Sequence, residues 1–94
     1  FNYKTNKNAI YLLKDDLSFP LFLRKFKKGD VFYPTGMKGK KLISKYFKDE
    51  KMSIFEKQNQ WLLCNNKDVM WIIGKRADRR YAKNTNANIK IEVT

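Results

Sequence analysis

The sequence contains no histidine and a single cysteine, Cys64, among its 94 residues. Without histidine, the chain cannot build a histidine-dependent catalytic triad and lacks the commonest metal ligand. One cysteine cannot form an internal disulfide, and its isolation argues against a zinc site. The low cysteine content is typical of a reducing compartment, so we expect a cytoplasmic protein. Because Cys64 lies within an apolar run, we expect a buried, unreactive thiol.

Long apolar runs and nucleotide-binding loops are also missing. No stretch approaches the ~18 consecutive apolar residues that cross a membrane, so we expect no membrane partner. The run Gly36-Met37-Lys38-Gly39-Lys40 has the wrong spacing for a Walker loop. The acidic pairs at residues 15–16 and 49–50 are adjacent in sequence, and side chains at adjacent positions point apart in strands and diverge in helices. We therefore expect no catalytic site, metal or cofactor in this chain.

Positive charge is abundant and unevenly distributed along the sequence. Residues 24–51 carry ten basic and three acidic side chains, and residues 75–83 carry five and one. These two blocks hold nearly all of the net charge of +12. If the blocks meet in the fold, they form a concentrated positive surface. The natural partner of such a surface is a polyanion, with nucleic acid favoured over an anionic membrane.

Residues 24–47 contain three of the four glycines and one of the two prolines. The pair Gly29-Asp30 predicts a tight turn between two strands that carry aromatic residues, and Pro34 ends the second strand. From residue 40 to residue 48 the apolar residues follow a helical period. That stripe, which we expect to be buried under a basic helix, consists of Leu42, Ile43, Tyr46 and Phe47.

The charges at the ends of this predicted helix oppose its dipole. Lys38, Lys40 and Lys41 crowd its start, and Asp49 and Glu50 follow its end. Each such charge costs roughly 0.3–1 kcal/mol of helix stability. Free N–H groups beside glycines and lysines at a helix start predict a phosphate site. The alternative is a solvated, lysine-rich face.

The remaining segments predict short strands and a second helix. Ser53 and Glu56 have the spacing of a capping box, which predicts a helix over residues 53–58. Both Trp61 and Trp71 are expected in the core. Strands are predicted at residues 9–13, 19–26, 61–64, 69–73 and 89–93, with a four-residue hairpin loop at 65–68. Residues 1–8 are expected to be a linker, and the whole chain of residues 1–94 a single domain. The predicted fold class is α+β, a small sandwich-like antiparallel or mixed sheet with one or two short helices.

Several blocks of the sequence resemble the C-terminal domain of tRNA(Ile)-lysidine synthase. The resemblance covers residues 9–85 and rests on the order and spacing of the blocks. The matching blocks are Leu23-Arg24, Gly29-Asp30, Pro34-Thr35-Gly36-Met37-Lys38-Gly39, Lys41-Leu42, Tyr46-Phe47, Trp61-Leu62-Leu63, Trp71-Ile72-Ile73-Gly74 and Arg76-Ala77-Asp78-Arg79-Arg80-Tyr81.

This resemblance implies a non-catalytic module that holds isoleucine tRNA, towards its acceptor stem. The family enzyme is a ligase that uses ATP and magnesium to join lysine to the wobble cytidine. Its chemistry belongs to an N-terminal domain with a pyrophosphate-binding loop, which is the implied partner of this module. The chain begins with Phe1 rather than Met, as expected for a piece of a longer protein. The sequence leaves the oligomeric state open.

The expected RNA contacts come from both basic blocks. Lys38, Lys40, Lys41 and Lys45 are predicted to bind phosphates, and Arg24, Arg76, Arg79 and Arg80 are predicted to extend the surface. For Arg80 a structural ion pair with Asp78 or another acid is an open alternative. Two other functions also remain open. The chain could be a different nucleic-acid module acting on DNA or ribosomal RNA, or a protein-interaction domain whose basic face confers solubility.

Overall fold

The computed structural model describes residues 7–93 and contains eight short strands, two α-helices and one 3-10 helix. The 3-10 helix spans Lys14–Asp16. The α-helices are α1 (Ile43–Asp49) and α2 (Ile54–Gln58). The strands are β1 (Ala9–Leu12), β2 (Phe22–Arg24), β3 (Val31–Phe32), β4 (Lys41–Leu42), β5 (Leu62–Asn65), β6 (Asp68–Ile72), β7 (Arg76–Ala77) and β8 (Ile89–Glu92). Residues 1–6 of the predicted linker lie outside the described residues.

A four-stranded antiparallel sheet in the order β2-β5-β6-β7 forms the centre of the domain. Helix α1 packs on one face, where Ile43, Tyr46 and Phe47 form a core with the sheet. A ribbon made of β1 and β8 packs on the other face, where its side chains surround Met70 and Trp71. A third, two-stranded pairing joins β3 to β4. These layers confirm the predicted α+β, sandwich-like class, and every described ladder is antiparallel.

The β5–β6 hairpin confirms the predicted pair of strands but not the length of its loop. Asn65 pairs with Asp68, so a two-residue turn at Asn66-Lys67 replaces the predicted four-residue loop. Asn65 is buried, and its side-chain oxygen accepts a hydrogen bond from the N–H of Ser18 at 2.7 Å. The side chains of both strands are almost all buried, as expected for a hairpin covered on two faces.

Helix α1 begins three residues later than predicted. Lys41 and Leu42 are extended and pair with β3, and the N–H of Ile43 donates to the carbonyl of Asp30 at 2.9 Å. Ile43 and Phe47 are buried as predicted, whereas the prediction for Leu42 is wrong, since 47% of its surface is exposed. The strand pairing holds residue 42 outside the helical stripe, so it points away from the core.

Two other segments correct the sequence prediction. The turn at Gly29-Asp30 forms, with the N–H of Asp30 donating to the carbonyl of Lys27 at 3.0 Å. It links strands of different sheets, because β2 pairs with β5 and β3 pairs with β4. The strand predicted at residues 19–26 is reduced to β2, preceded by a cis peptide bond at Phe19-Pro20.

The predictions for the second helix and for the tryptophans have mixed outcomes. The capping box of α2 is confirmed, since Ser53 Oγ accepts from the N–H of Glu56 and the Glu56 carboxylate accepts from the N–H of Ser53. Trp71 is buried as predicted. The prediction for Trp61 is wrong, because 47% of its surface is exposed. Trp61 precedes β5 and lies beyond the part of the sheet that the ribbon covers.

Candidate nucleic-acid interface

The two basic blocks meet through a short set of backbone hydrogen bonds. The N–H of Arg79 donates to the carbonyl of Tyr33 at 2.7 Å, and the N–H of Thr35 donates to the carbonyl of Ala77 at 3.0 Å. Between them, Pro34 and Asp78 form an isolated bridge. The segment after β3 and the segment that contains β7 therefore lie side by side. We call the place where these two segments meet the junction. This arrangement satisfies the condition under which the sequence predicts one concentrated positive surface.

The buried side chain of Asp78 stabilises this junction through hydrogen bonds. Its side chain is fully buried. One carboxylate oxygen accepts from the N–H of Tyr33 at 2.9 Å, and the other accepts from the N–H of Arg80 at 2.8 Å. The backbone of Asp78 is also paired, since its N–H donates to the carbonyl of Met70 at 2.7 Å. A buried charge is tolerated when it is paired and hydrogen-bonded, as this one is.

Arg80 supplies the positive charge that balances Asp78. Its Nε and Nη2 donate to the Asp78 carboxylate at 3.1 and 2.9 Å, and its Nη1 lies 3.6 Å from Asp68. The hydrogen bonds to Asp78 raise the pKa of Arg80 above its ordinary value. The guanidinium also stacks on the ring of Tyr33, 4.2 Å from its centroid. These contacts match the structural alternative for Arg80, although about a third of the side chain remains exposed.

A basic pocket of about 450 Å³ opens beside the junction. Lys7, Lys75 and Arg76 supply three cationic side chains, and no acidic side chain from the described part of the chain lines it. Nη1 of Arg76 donates to the carbonyl of Thr35 at 3.1 Å, which orients the guanidinium across the junction. Thr35 and Gly36 form one wall, and Trp71 and Ala77 contribute apolar surface. A concave site with three cations has the charge and size for phosphate groups.

Lys38 and Lys40 lie on the exposed loop between β3 and β4. The backbone at Gly36 and Gly39 has φ values of 80° and 74°, which glycine adopts without strain. The N–H of Met37 donates to the carbonyl of Pro34 at 3.2 Å, so the loop turns immediately after the junction. Among residues 7–93, neither lysine takes part in an ion pair, and the same is true of Lys75, Arg76 and Arg79. Their charges are available to an external anion.

Lys41 and Lys45 lie in a different setting from the one the sequence predicts. Nζ of Lys41 is 2.6 Å from Oδ2 of Asp49, and Nζ of Lys45 is 3.7 Å from Oδ1 of the same residue. The hydrogen bond from Lys41 is the main reason that the pKa of Asp49 lies below its ordinary value. Because α1 begins at Ile43, Lys41 is not in its first turn. Lys41 therefore lies before the N-cap residue Leu42, with its ammonium group directed to Asp49.

Arg24 is engaged by an acid as well. Its guanidinium forms two hydrogen bonds with the Asp30 carboxylate, at 2.8 and 3.0 Å, and these raise the pKa of Arg24. Burial pushes the pKa of Asp30 upward, but the bonds from Arg24 and from the N–H of Lys27 bring it below its ordinary value. Arg24 thus fixes the turn before β3, and it lies on β2, at the opposite edge of the four-stranded sheet from β7 and Arg76.

No constellation for catalysis emerges from the described part of the chain. Cys64 is buried in β5, and burial is the largest cause that raises the pKa of its thiol. Within residues 7–93, no group of three or more metal-ligating side chains gathers at one place. Neither α-helix among these residues is long or apolar enough to cross a membrane.

The interface includes residues that the sequence did not single out. Lys7 was assigned to the linker, and Lys75 belongs to the second basic block but was not selected. Its position next to Arg76 is the signal that could have identified it. Tyr33, which stacks on Arg80 and lies 5.2 Å from Arg79, had no such signal. Of the predicted residues, Arg76, Arg79 and Arg80 belong to the segment that forms the junction, and Lys38 and Lys40 lie on the loop that follows Pro34. Acids pair with four of the predicted residues, namely Arg24, Lys41, Lys45 and Arg80.

Comparison with known proteins gives a consistent result. Residues 21–93 match the family described as TilS substrate C-terminal domain. The tRNA(Ile)-lysidine synthase of Parabacteroides distasonis is 48% identical over 81 residues, which are 86% of this chain and 18% of that protein. The enzyme of the same name from Bacteroides thetaiotaomicron is 46% identical over 86% of this chain and 19% of its own length. The chain thus spans about a fifth of the curated relatives it matches.

A solved structure has the same fold. It is described as the crystal structure of the TILS C-terminal domain, and it superposes on this chain with a TM-score of 0.79. The match covers 97% of this chain and 75% of the other, at 16% sequence identity. At this level of sequence identity, the match shows that the two chains share the same arrangement of strands and helices.

Proposed function

This chain belongs to the TilS substrate C-terminal domain family, and from that premise we propose that it is the tRNA-holding module of a tRNA(Ile)-lysidine synthase. Residues 1–94 form one domain in this proposal. The parent enzyme, a cytoplasmic ligase, joins lysine to the wobble cytidine of isoleucine tRNA. Because the described residues offer no nucleotide loop and no metal-ligand group, ATP and magnesium are assigned to the catalytic N-terminal part of the parent.

The observation that supports RNA binding is the junction of the two basic blocks. Lys38 and Lys40 lie on the loop, Lys75 and Arg76 line the basic pocket, and Arg79 lies beside Tyr33. These cations belong to adjoining segments and form no ion pair among the described residues. Unpaired cations on a shaped surface bind phosphates along a duplex, and A-form RNA is recognised mainly through its shape, phosphates and 2′-hydroxyls. The acceptor stem of isoleucine tRNA is the duplex we assign to this surface.

The other four basic residues that were predicted to contact RNA have a secondary role in this proposal. Arg24, Lys41, Lys45 and Arg80 each have a carboxylate partner. An exposed lysine already near an acid gives a phosphate less net attraction, because the acid repels the same phosphate. Arg80 holds Tyr33 and the junction in place. The exposed third of the Arg80 side chain can still contact RNA. Lys45 is the most exposed of the four and contributes at the edge of the surface.

The salt dependence of tRNA binding tests the proposal. In the triple variant Lys38→Gln, Lys40→Gln, Arg76→Gln, each lost phosphate contact should lower the log–log salt slope by roughly 0.7–0.9. The affinity for tRNA should fall accordingly. The matched control is Lys67→Gln in the hairpin turn, which should leave slope and affinity unchanged. An unchanged slope in the triple variant would overturn this interface.

A competition experiment separates tRNA from other polyanions. An acceptor-stem minihelix should displace labelled isoleucine tRNA from the domain, and duplex DNA of equal length and charge should displace it less well. A-form and B-form helices differ in groove width and in the 2′-hydroxyl. Equal competition by DNA would instead identify a general nucleic-acid module. No binding of either would favour a protein-interaction domain.

A further inference from the structure

An apolar groove of about 480 Å³ lies on the sheet face that carries the ribbon. The ribbon covers only part of that face. Beyond it, Leu23 is 60% exposed, Trp61 47% and Val93 45%. The apolar side chains that line the groove are Leu23, Trp61, Leu63, Trp71, Ile73, Ile91 and Val93. A contiguous exposed apolar surface of this kind marks an interaction site more often than a neutral surface.

The chemistry of the groove differs from that of the basic pocket beside it. The two share Trp71, but among residues 7–93 Glu92 is the only charged residue that lines the groove. Its carboxylate lies 3.4 Å from Nζ of Lys90. Nζ of Lys25 lies 4.2 Å from the Trp61 ring centroid and occupies one side of the indole. The groove therefore offers aliphatic and aromatic carbon to an apolar segment of protein, and it offers no cluster of cations to phosphates.

The first described residues of the chain lie between the groove and the basic pocket. The N–H of Val93, a groove residue, donates to the carbonyl of Asn8 at 2.7 Å, and Ala9 pairs with Glu92. Lys7, one residue earlier, lines the basic pocket. Any part of the protein that precedes Lys7 thus starts beside the groove. The curated relatives are about five times as long as their match to this chain, so most of such a protein lies outside the described residues.

We propose that this groove is the docking surface for the part of the parent protein that precedes residue 7. The inference rests on the proposed parent enzyme, whose catalytic part lies on that side of the chain. An apolar segment of the preceding part covers Leu23, Trp61 and Val93. Docking there fixes the orientation of the catalytic part relative to the basic pocket. RNA held by Lys75 and Arg76 is then presented in one geometry, which a free linker at Asn8 could not ensure.

Thiol labelling measures whether the groove is covered in the full-length parent. Leu23→Cys places a reporter in the groove, and Phe55→Cys on α2, where the wild-type residue is 74% exposed, is the matched control. Maleimide modification of each site is followed by peptide mass spectrometry in the full-length protein and in the 94-residue chain. The Leu23→Cys site should react at least about tenfold more slowly in the full-length protein, because labelling requires local opening. The Phe55→Cys site should react equally in both.

Each other outcome identifies a different occupant and overturns the proposal. Equal labelling of the Leu23→Cys site in both proteins means that the groove is open. Protection in the 94-residue chain that grows with its concentration identifies a second copy. Protection that appears only with tRNA identifies RNA. The salt slope of tRNA binding, measured on the same samples, is independent of these results, so loss of RNA binding with retained protection rejects the proposed function and leaves the docking surface standing.

Discussion

The backbone N–H of Tyr33 donates to the fully buried carboxylate of Asp78, 45 positions later in the sequence. This contact joins the two basic blocks. We predict that Asp78→Ala destabilises the domain by about 2–4 kcal/mol, because it leaves the N–H groups of Tyr33 and Arg80 without their acceptor. Urea unfolding measures the change. Asp15→Ala, an exposed acid without a described ion pair, should stay within about 0.5 kcal/mol of wild type. A similar small change at Asp78 would show that the junction does not depend on it.

Phe47 and Leu42 are five positions apart, and truncation should destabilise the domain much more at Phe47 than at Leu42. Phe47 is buried against Phe26, with ring centroids 5.5 Å apart, whereas Leu42 points away from the core. Phe47→Ala should lower the free energy of unfolding by about 3–5 kcal/mol, through lost burial and the cavity left behind. Leu42→Ala should lower it by less than about 1 kcal/mol. Comparable losses in chemical denaturation would place Leu42 in the core after all.

The ion pair of Arg24 with Asp30 predicts a specific acid sensitivity. The folded-state pKa of Asp30 lies below its ordinary value of 3.8, so the pair stabilises the fold above that value. Its contribution is lost as the pH falls through the folded pKa. The difference in urea midpoint between wild type and Arg24→Gln should therefore be largest near neutral pH and shrink in strong acid. Lys28→Gln, at an exposed position, should show no such trend. A gap that is constant with pH would contradict the assignment.

Lys41 and Lys45 should matter less for RNA than Lys38 and Lys40, although all four are lysines of one block. The double variant Lys41→Gln, Lys45→Gln removes two charges that share one carboxylate, that of Asp49. Its salt slope for tRNA should fall by less than that of Lys38→Gln, Lys40→Gln, where the loss should be roughly 1.4–1.8 for two contacts. Fluorescence anisotropy at several salt concentrations gives both slopes. A larger loss at residues 41 and 45 would move the binding surface onto α1.

The thiol of Cys64 should be unreactive in the native state. It is buried in β5, and burial raises its pKa, so little thiolate is present or accessible at neutral pH. A disulfide reagent should modify it at the rate of local opening, and modification should become fast in denaturing urea. Rapid modification of the native domain would require an exposed or activated thiol.

The sequence correctly predicted those elements of the fold that depend on contacts between residues close together in the chain. Ser53 and Glu56 close a capping box within one turn, so their spacing is sufficient to place α2. The apolar runs of β5 and β6 likewise predicted a hairpin buried on both faces. The start of α1 could not be predicted in this way, because the carbonyl of Asp30 and the backbone of β3 hold residues 41–42 extended. That competition exists only once β3 is in place.

For the candidate site, too, the sequence predicted the local features but not those that depend on tertiary contacts. Composition identified the two basic blocks and made a polyanion the favoured partner, but it could not show which cations are neutralised. Lys41 meets Asp49 eight residues later, which neither helical nor strand spacing predicts. Trp61 was assigned to the core from its apolar neighbours, whereas its exposure depends on where a ribbon from the two ends of the domain stops. Such facts require the tertiary structure.

The ribbon of β1 and β8 also has a mechanical consequence. Ala9 lies opposite Glu92, so a force applied between residues 8 and 93 acts on the nearest rung of the ladder first. Its hydrogen bonds would then break one at a time, as a zipper opens, rather than all together in shear. We expect the described domain to yield at low force in this direction and to lose the ribbon before the central sheet.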